Sequence, residues 1–293
     1  MKNIISSNRT KGVLFIIISA FGFAMMSAFV KLSGDLPSFQ KTFFRNITSC
    51  IIAFVLVVIN KESFFGKLKN QKILILRSLF GTLGIVFNFY AIDKLVLSDA
   101  NMLNKLSPFF VIIFSAIFLK EKINLKQGLA IIIAFIGALF IIKPQFNLEI
   151  IPYLIGILGA IFAAAAYTCL RSLGGKEKYY TIVFYFSFFS TIVILPFMIM
   201  VYKEMTLSQL IYLILAGVFA SIGQFGITLA YKYAKAKEIS IFDYSNIIFS
   251  ALISIILFGV IPDYLSIIGY IIIFIVSLYM FIYNKRLDKT ENK

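Results

Sequence analysis

Two short stretches of the sequence place ionisable and amide side chains inside runs that are otherwise apolar. Asn101, Asn104 and Lys105 are spaced i, i+3 and i+4, so they share one face of a helix. Asp243 is the only carboxylate well inside an apolar run. A charge in hydrocarbon costs about 2.5–3.5 kcal/mol on insertion scales, so such residues are candidates for a functional site.

Lys105 and Asp243 define the chemistry that this candidate site can perform. Asp243 can hold a cationic group, carry a proton, or pair with Arg45, Arg77 or Lys105. Two structural readings stay open, because Lys105 can instead snorkel to the membrane surface and Asp243 can form a buried ion pair. We expect the two side chains to face one central cavity from different helices, separated along the pathway rather than joined in a direct salt bridge.

Further polar and aromatic side chains within the apolar runs are candidates to line the same cavity. Buried amides need partners, so they bond across helices or face a wet cavity. The predicted substrate-binding residues are Arg45, Asn88, Tyr90, Asn101, Asn104, Lys105, Tyr167, Gln224, Ser240, Asp243, Tyr244 and Asn246. Arg77 is instead expected at the inner membrane interface, and Glu121, which lies between two lysines, is expected to be structural.

The composition identifies the class of protein that must position these residues. The 293 residues are 60% hydrophobic and only 14% charged, whereas a soluble domain carries about 25% charged residues. This is the composition of an all-α integral membrane protein. We read the net charge of +15 as a topology signal and not as a nucleic-acid surface, because the basic residues cluster in short loops.

Several chemistries are disfavoured by residues that the chain lacks. It contains no His, and its two cysteines, Cys50 and Cys169, stand alone in apolar runs, so we expect neither a metal site nor a cofactor. A membrane-embedded transferase is also disfavoured, since such sites usually contain His or paired acids. There is no GxxxxGK[ST] phosphate-binding loop, which argues against direct coupling to ATP.

Ten apolar segments are long enough to be membrane-spanning helices, which need about 20 residues each. They are residues 12–31, 39–59, 73–93, 99–119, 125–142, 151–171, 180–202, 208–230, 239–259 and 263–283. If the N-terminus is cytoplasmic, 20 of the 28 basic residues lie on the cytoplasmic side. Five lie in the outer segments, namely Lys31, Lys41, Lys94, Lys143 and Lys203. This bias predicts a multi-pass protein of the cytoplasmic membrane with both termini cytoplasmic.

The two halves of the chain show weak similarity to each other. With an offset of 139 residues, Gly84 aligns with Gly223 and Asn104 aligns with Asp243. Because each unit would contain five helices, an odd number, the second copy must enter the membrane from the opposite side. We therefore predict two inverted five-helix repeats, residues 11–143 and 150–284, with a site near the bilayer midplane between them.

The segment 107–142 resembles the signature of EamA-type drug/metabolite transporters, with further matches in "FFRN" (43–46) and "FYAI" (89–92). The matching residues are the proline that enters the fourth helix, the glutamate that closes it and the glycines of the fifth helix: Pro108, Glu121, Gly128 and Gly137. The second half departs from this pattern, with Ile247 and Val260 at the positions of the proline and the glutamate. The resemblance implies ten helices, a central cavity and transport of small organic metabolites.

From these features we expect a secondary transporter. Its candidate lining offers charges of both signs and amides, which suits an amino acid or a derivative, including a conjugate like S-adenosylmethionine. The partners expected are membrane lipid, the small-molecule metabolite and a proton or other coupling ion. A lipid or lipid-headgroup flippase on the same fold is the alternative.

Overall fold

The computed structural model describes residues 2–118, 124–143, 148–173, 176–233 and 240–291, and the regular elements within these ranges are all helices. Short 3-10 turns, which include Leu148–Ile150 and Ser240–Tyr244, precede some of the helices. The helices are α1 (Lys2–Leu32), α2 (Ser38–Ile59), α3 (Gln71–Lys94), α4 (Leu97–Asn104), α5 (Ser107–Phe118), α6 (Leu125–Ile142), α7 (Ile151–Leu173), α8 (Tyr179–Met200), α9 (Leu207–Tyr233), α10 (Ser245–Phe258) and α11 (Tyr264–Glu291).

These helices form an all-α membrane protein. Within the described ranges, nine helical segments are long and apolar enough to cross a bilayer, and α4 and α5 together make one of them. A further apolar helix, Phe242–Phe258, is shorter, and it is the ninth of the ten spans in chain order. Large apolar side chains such as Ile59, Ile132 and Ile256 are exposed on the outside of the bundle, where lipid would cover them.

The contacts between the two halves follow a two-fold pattern. The first span (α1) packs along the eighth (α9), and the third (α3) packs along the sixth (α7). The second span packs against the seventh, the fourth against the ninth and the fifth against the tenth. Exchanging each span with the one five places later reproduces the same set of contacts, as two five-helix units related by a two-fold axis require.

Small residues allow the closest of these crossings. A Cβ atom on Gly22 of α1 would lie 2.8 Å from the backbone nitrogen of Gly223 in α9. A Cβ atom on Gly159 of α7 would lie 3.1 Å from the backbone nitrogen of Asn88 and 3.4 Å from the carbonyl oxygen of Gly84 in α3. The two equivalent crossings therefore bring backbone against backbone, the arrangement that small residues permit between membrane helices.

The fourth span is broken, whereas the sequence predicts one continuous helix over 99–119. Helix α4 ends at Asn104 and α5 begins at Ser107. The reason is Pro108, which has no N–H to donate to the carbonyl of Asn104 and disfavours the helix before it. The ninth span is irregular at the equivalent depth, where the turn Ser240–Tyr244 precedes α10. Irregular backbone at membrane depth is tolerated where it lines a cavity.

A group of three charged residues, which we call the Lys41 cluster (Lys31, Lys41 and Asp93), closes the end of the bundle that carries the α1–α2 connection. Lys31 and Asp93 are half-buried. Lys41 is wholly buried, and its Nζ lies 2.5 Å from Asp93 Oδ1 and 2.6 Å from the carbonyl oxygen of Gly34. Lys31 donates to the carbonyl of Ile92 at 3.2 Å. The sequence predicts these lysines in outer loops, but packing draws both into the bundle, because Asp93 and backbone carbonyls offer them partners there.

Candidate functional site

A cavity of about 150 Å³ lies where the two halves meet. It is lined from α1, α2, α3, α4, α7, α8, α9, the turn before α10 and α10 itself. The sequence-predicted residues that line it are Arg45, Asn88, Asn101, Asn104, Lys105, Tyr167, Gln224, Asp243 and Asn246. Apolar walls come from side chains such as Phe23, Ile85, Phe89, Phe186 and Ile227. The broken fourth and ninth spans thus contribute polar groups to one apolar-walled cavity.

Lys105 and Asp243 form a direct ion pair in this cavity. Lys105 Nζ lies 2.5 Å from Asp243 Oδ2, and the two side chains keep 13% and 23% of their surface accessible. The sequence-based expectation that the two charges are separated along the pathway is wrong. The irregular turns of the fourth and ninth spans meet at one level, and this brings the two side chains together. Asp243 Oδ1 is buried and has no hydrogen-bond partner among the residues that the structure describes.

Asn101 and Asn246 have their amide groups held by neighbouring helices. Asn101 accepts a hydrogen bond from Ser27 Oγ at 3.1 Å and donates to Ser250 Oγ at 2.8 Å. Asn246 donates to the carbonyl of Ala20 at 2.8 Å. These bonds join α1, α4 and α10 around the cavity. The bonds fix the positions of both amides, and both residues line the cavity.

Two buried arginines face the cavity from α2 and α3. Arg45 is 4% exposed and Arg77 is 6% exposed. The sequence predicts Arg77 at the inner interface, but α3 begins at Gln71, so Arg77 lies more than one turn inside the helix and lines the cavity. Its guanidinium carbon lies 3.9 Å from the centre of the Phe186 ring. A cation within an apolar helix was the signal for Arg77 that sequence reasoning undervalued.

The structure does not bring every predicted residue to this cavity. Tyr90 is not among the lining residues. Tyr244 is buried away from it, with its hydroxyl 2.5 Å from Ser277 Oγ and 3.4 Å from the carbonyl oxygen of Lys105, so it supports the break in the fourth span. The side chain of Ser240 and all of Glu121 lie outside what the structure describes. Among the residues it describes, no group of three His, Cys, Asp or Glu side chains could hold a metal ion.

Comparison with known proteins supplies an independent view of the chain. The EamA-like transporter family matches twice, over residues 10–143 and 150–282. The pseudopaline exporter CntI of Pseudomonas aeruginosa is 32% identical over 270 residues, which cover 91% of this chain and 94% of that protein. The S-adenosylmethionine uptake transporter of Rickettsia bellii is 26% identical over 280 residues, covering 93% and 92% respectively.

The fold also matches a crystal structure at low sequence similarity. That structure has a TM-score of 0.68 and 14% sequence identity, and the match covers 95% of this chain and 99% of the other. At this level of identity the likeness concerns the fold alone.

Proposed function

Because the chain belongs to the EamA-like transporter family, we propose that this membrane transporter is a secondary transporter of a small amphiphilic organic metabolite. It is a transporter rather than an enzyme, as its relatives are. The proposal adds the mechanism, which is alternating access across the cytoplasmic membrane, and the chemical class of the substrate. It also adds the orientation, with both termini cytoplasmic, which the bias of basic residues supports.

One observation carries the proposal: a cavity at the junction of the two halves combines charges of both signs, amides and apolar walls. A volume near 150 Å³ holds a benzene-sized molecule, so an amino-acid-sized group fits. Amino acids and their derivatives present the ammonium, carboxylate and apolar parts that such a lining can hold. A conjugate like S-adenosylmethionine belongs to the same class, and one relative is named as its uptake transporter.

The accessibility of the two ends of the bundle supports alternating access. The Lys41 cluster and the buried Ser33, Leu36 and Gln40 close the end at the α1–α2 connection. Tyr167, beyond the middle of α7 toward the opposite end, keeps 44% of its surface accessible. We propose that this difference between the two ends corresponds to one of the two states that a rocking transporter must visit.

The Lys105–Asp243 pair offers a way to couple binding to this motion. The pair joins the fourth and ninth spans, one from each half, so a substrate that competes for either charge loosens a contact between the halves. Asp243 Oδ1, which has no partner among the described residues, can accept a hydrogen bond from a cationic group of the substrate.

The proposal is tested by transport in vesicles. Purified protein is reconstituted, and uptake of labelled amino acids and of S-adenosylmethionine is measured beside movement of headgroup-labelled lipid. We expect uptake of a solute that is lost in Lys105→Ala and in Asp243→Asn, while the exposed Lys72→Gln on α3 transports normally. Lipid movement without solute uptake would favour the flippase, and normal uptake by both cavity variants would remove these residues from the pathway.

A further inference from the structure

The charges that line the cavity do not balance. Arg45, Arg77 and Lys105 are cationic, and Asp243 is the one carboxylate among the lining residues. Lys105 and Asp243 neutralise each other at 2.5 Å. No carboxylate in the part of the chain that the structure describes forms a salt bridge with either arginine. Among the residues that the structure describes, the two arginine charges at membrane depth are therefore not balanced.

The two guanidinium groups also keep unused hydrogen-bond donors. Arg45 Nη1 donates to Asn46 Oδ1 at 2.5 Å, but no described residue accepts from the buried Nε of Arg45. The buried Nη1 of Arg77 likewise lacks a partner in the part of the chain that the structure describes, and its guanidinium stacks on Phe186. The two arginines are near enough to repel each other, and Tyr167 lies close to both. Two neighbouring guanidinium groups with donors that no described residue satisfies are the arrangement expected of an anion-binding site.

The free-energy cost of burying a charge indicates that the two arginines favour binding of an anion. Removing an ion from water is strongly unfavourable unless an opposite charge and hydrogen bonds replace the water. A guanidinium stays protonated in proteins, so neither arginine escapes the penalty by losing its proton. An anion that enters the cavity would supply the missing partner. The planar fork of each guanidinium matches the two oxygens of a carboxylate and the oxygens of a phosphate.

We infer that Arg45 and Arg77 form an anion subsite, and that the transported metabolite is an organic acid with more acidic than cationic groups. This inference rests on the proposed transport function and narrows its substrate class. An amino acid derivative with an additional carboxylate fits: its acids reach the arginines, its apolar part lies against Phe186, and its ammonium faces Asp243. A molecule of net positive charge, such as S-adenosylmethionine, would add to the excess.

A purely structural role for the arginines predicts a different arrangement. Buried arginines that only stabilise a fold pair with a carboxylate or donate to several carbonyls, because unpaired donors are costly. Lys41, one turn from Arg45 on α2, shows that arrangement in this protein. Arg45 and Arg77 instead line the cavity where the two halves meet.

A comparison of how tightly acids and their analogues without the extra acidic group bind tests the inference. Thermal shifts of the purified protein are recorded with L-glutamate and L-glutamine, succinate and succinamide, glycerol 3-phosphate and glycerol, and S-adenosylmethionine, since a ligand that binds the folded state stabilises it. We expect at least one acid to bind about tenfold or more tightly than its uncharged partner, the equivalent of one charge-assisted hydrogen bond. The carboxylate and phosphate arms separate the two sources of negative charge.

The variants Arg45→Gln and Arg77→Gln should each remove that preference for the acid. Lys72→Gln, which removes a positive charge from the exposed start of α3, is the matched control and should keep it. Equal binding of acids and amides, or an acid preference that survives both arginine variants, would overturn the inference. If a cationic solute is transported, and its transport rate is unchanged in both arginine variants, the inference is overturned but the transporter assignment stands.

A second measurement needs no ligand. Without ligand, Arg45→Gln should melt at the same temperature as the parent chain or at a higher one, because the change removes a buried charge that has no carboxylate partner. A clearly lower melting temperature for both Arg45→Gln and Arg77→Gln would show that the arginines serve the fold, and would contradict the inference.

Discussion

Lys41 and Arg45 lie one turn apart on α2, and both are almost completely removed from solvent. Lys41 meets a carboxylate at 2.5 Å and a carbonyl oxygen at 2.6 Å. Arg45 donates to one side-chain amide among the described residues, that of Asn46, and its nearest charged neighbours include the like-charged Arg77. The two cations are therefore similar in burial but differ in the partners that the described residues offer them. Lys41, which has a carboxylate partner, closes one end of the bundle, whereas Arg45, for which no described residue supplies a carboxylate, lines the candidate cavity.

The same contrast holds between the two ion pairs of the membrane region. In Lys41–Asp93, which we call the sealed pair, the lysine side chain has no accessible surface and Asp93 keeps 16%, whereas the side chains of Lys105–Asp243, the accessible pair, keep 13% and 23% and line the cavity. Water and substrate can reach both partners of the accessible pair, but not the ammonium group of the sealed pair. We therefore expect the sealed pair to contribute mainly to stability and the accessible pair mainly to transport.

The largest stability effect is expected from the sealed pair. Asp93→Asn leaves the ammonium of Lys41 buried without a carboxylate, and breaking a buried pair in this way costs about 3–5 kcal/mol. The folded yield and the melting temperature in detergent should fall sharply. The double variant Lys41→Met with Asp93→Leu should recover much of the loss, because both charges are then gone. An unchanged melting temperature for Asp93→Asn would break the contrast with Arg45.

The accessible pair should show a smaller loss of stability. Asp243→Asn keeps a hydrogen-bond acceptor near Lys105, and cavity water can hydrate the ammonium, so we expect about 1.5–3 kcal/mol, the range of a hydrogen bond to a charged group. The measurement is the melting temperature of Asp243→Asn beside that of Asp93→Asn in the same detergent. If Asp243→Asn proves the more destabilising, the pair at the cavity is the structural one.

The smallest effect is expected at the bundle surface, where Lys143 pairs with Asp263. Burial alone would raise the pKa of Asp263, but hydrogen bonds from Lys143 and Ser266 outweigh it and hold the pKa below its usual value. A lowered folded-state pKa contributes stability above the unfolded-state pKa, about 3.9, and this is lost as the pH falls through the folded-state value.

Asp263→Asn should therefore cost less than about 1 kcal/mol at neutral pH, as exposed pairs do. Asp263 also accepts hydrogen bonds from the backbone of Leu265 and Ser266 at the start of α11, at 3.0 and 3.2 Å. Asp263→Ala removes this cap as well and should cost about 1 kcal/mol more. Melting temperatures of the two variants at pH 7 separate the cap from the charge, and an equal loss in both would assign the whole effect to the ion pair.

Much of the fold follows from local features of the sequence. The ten apolar segments predict the spans within a few residues because hydropathy depends only on neighbours along the chain. The cavity residues Asn101, Asn104, Lys105 and Asp243 could be proposed for the same reason, since a polar group in an apolar run is costly unless it faces the interior. The proline at position 108 is also a local signal for a helix break, although we predicted a single helix there.

The sequence by itself therefore determined the class of protein, its spans, and which side chains had to avoid lipid. Only the tertiary structure decided which charges met. Lys105 and Asp243 are 138 residues apart, and Lys41 and Asp93 are 52 apart, so neither pair leaves a local signal. Each pairing is set by the depth and rotation at which packed helices cross. Those crossings place Arg77 in the cavity and bury Lys41, and they leave two arginines there without a carboxylate partner among the described residues.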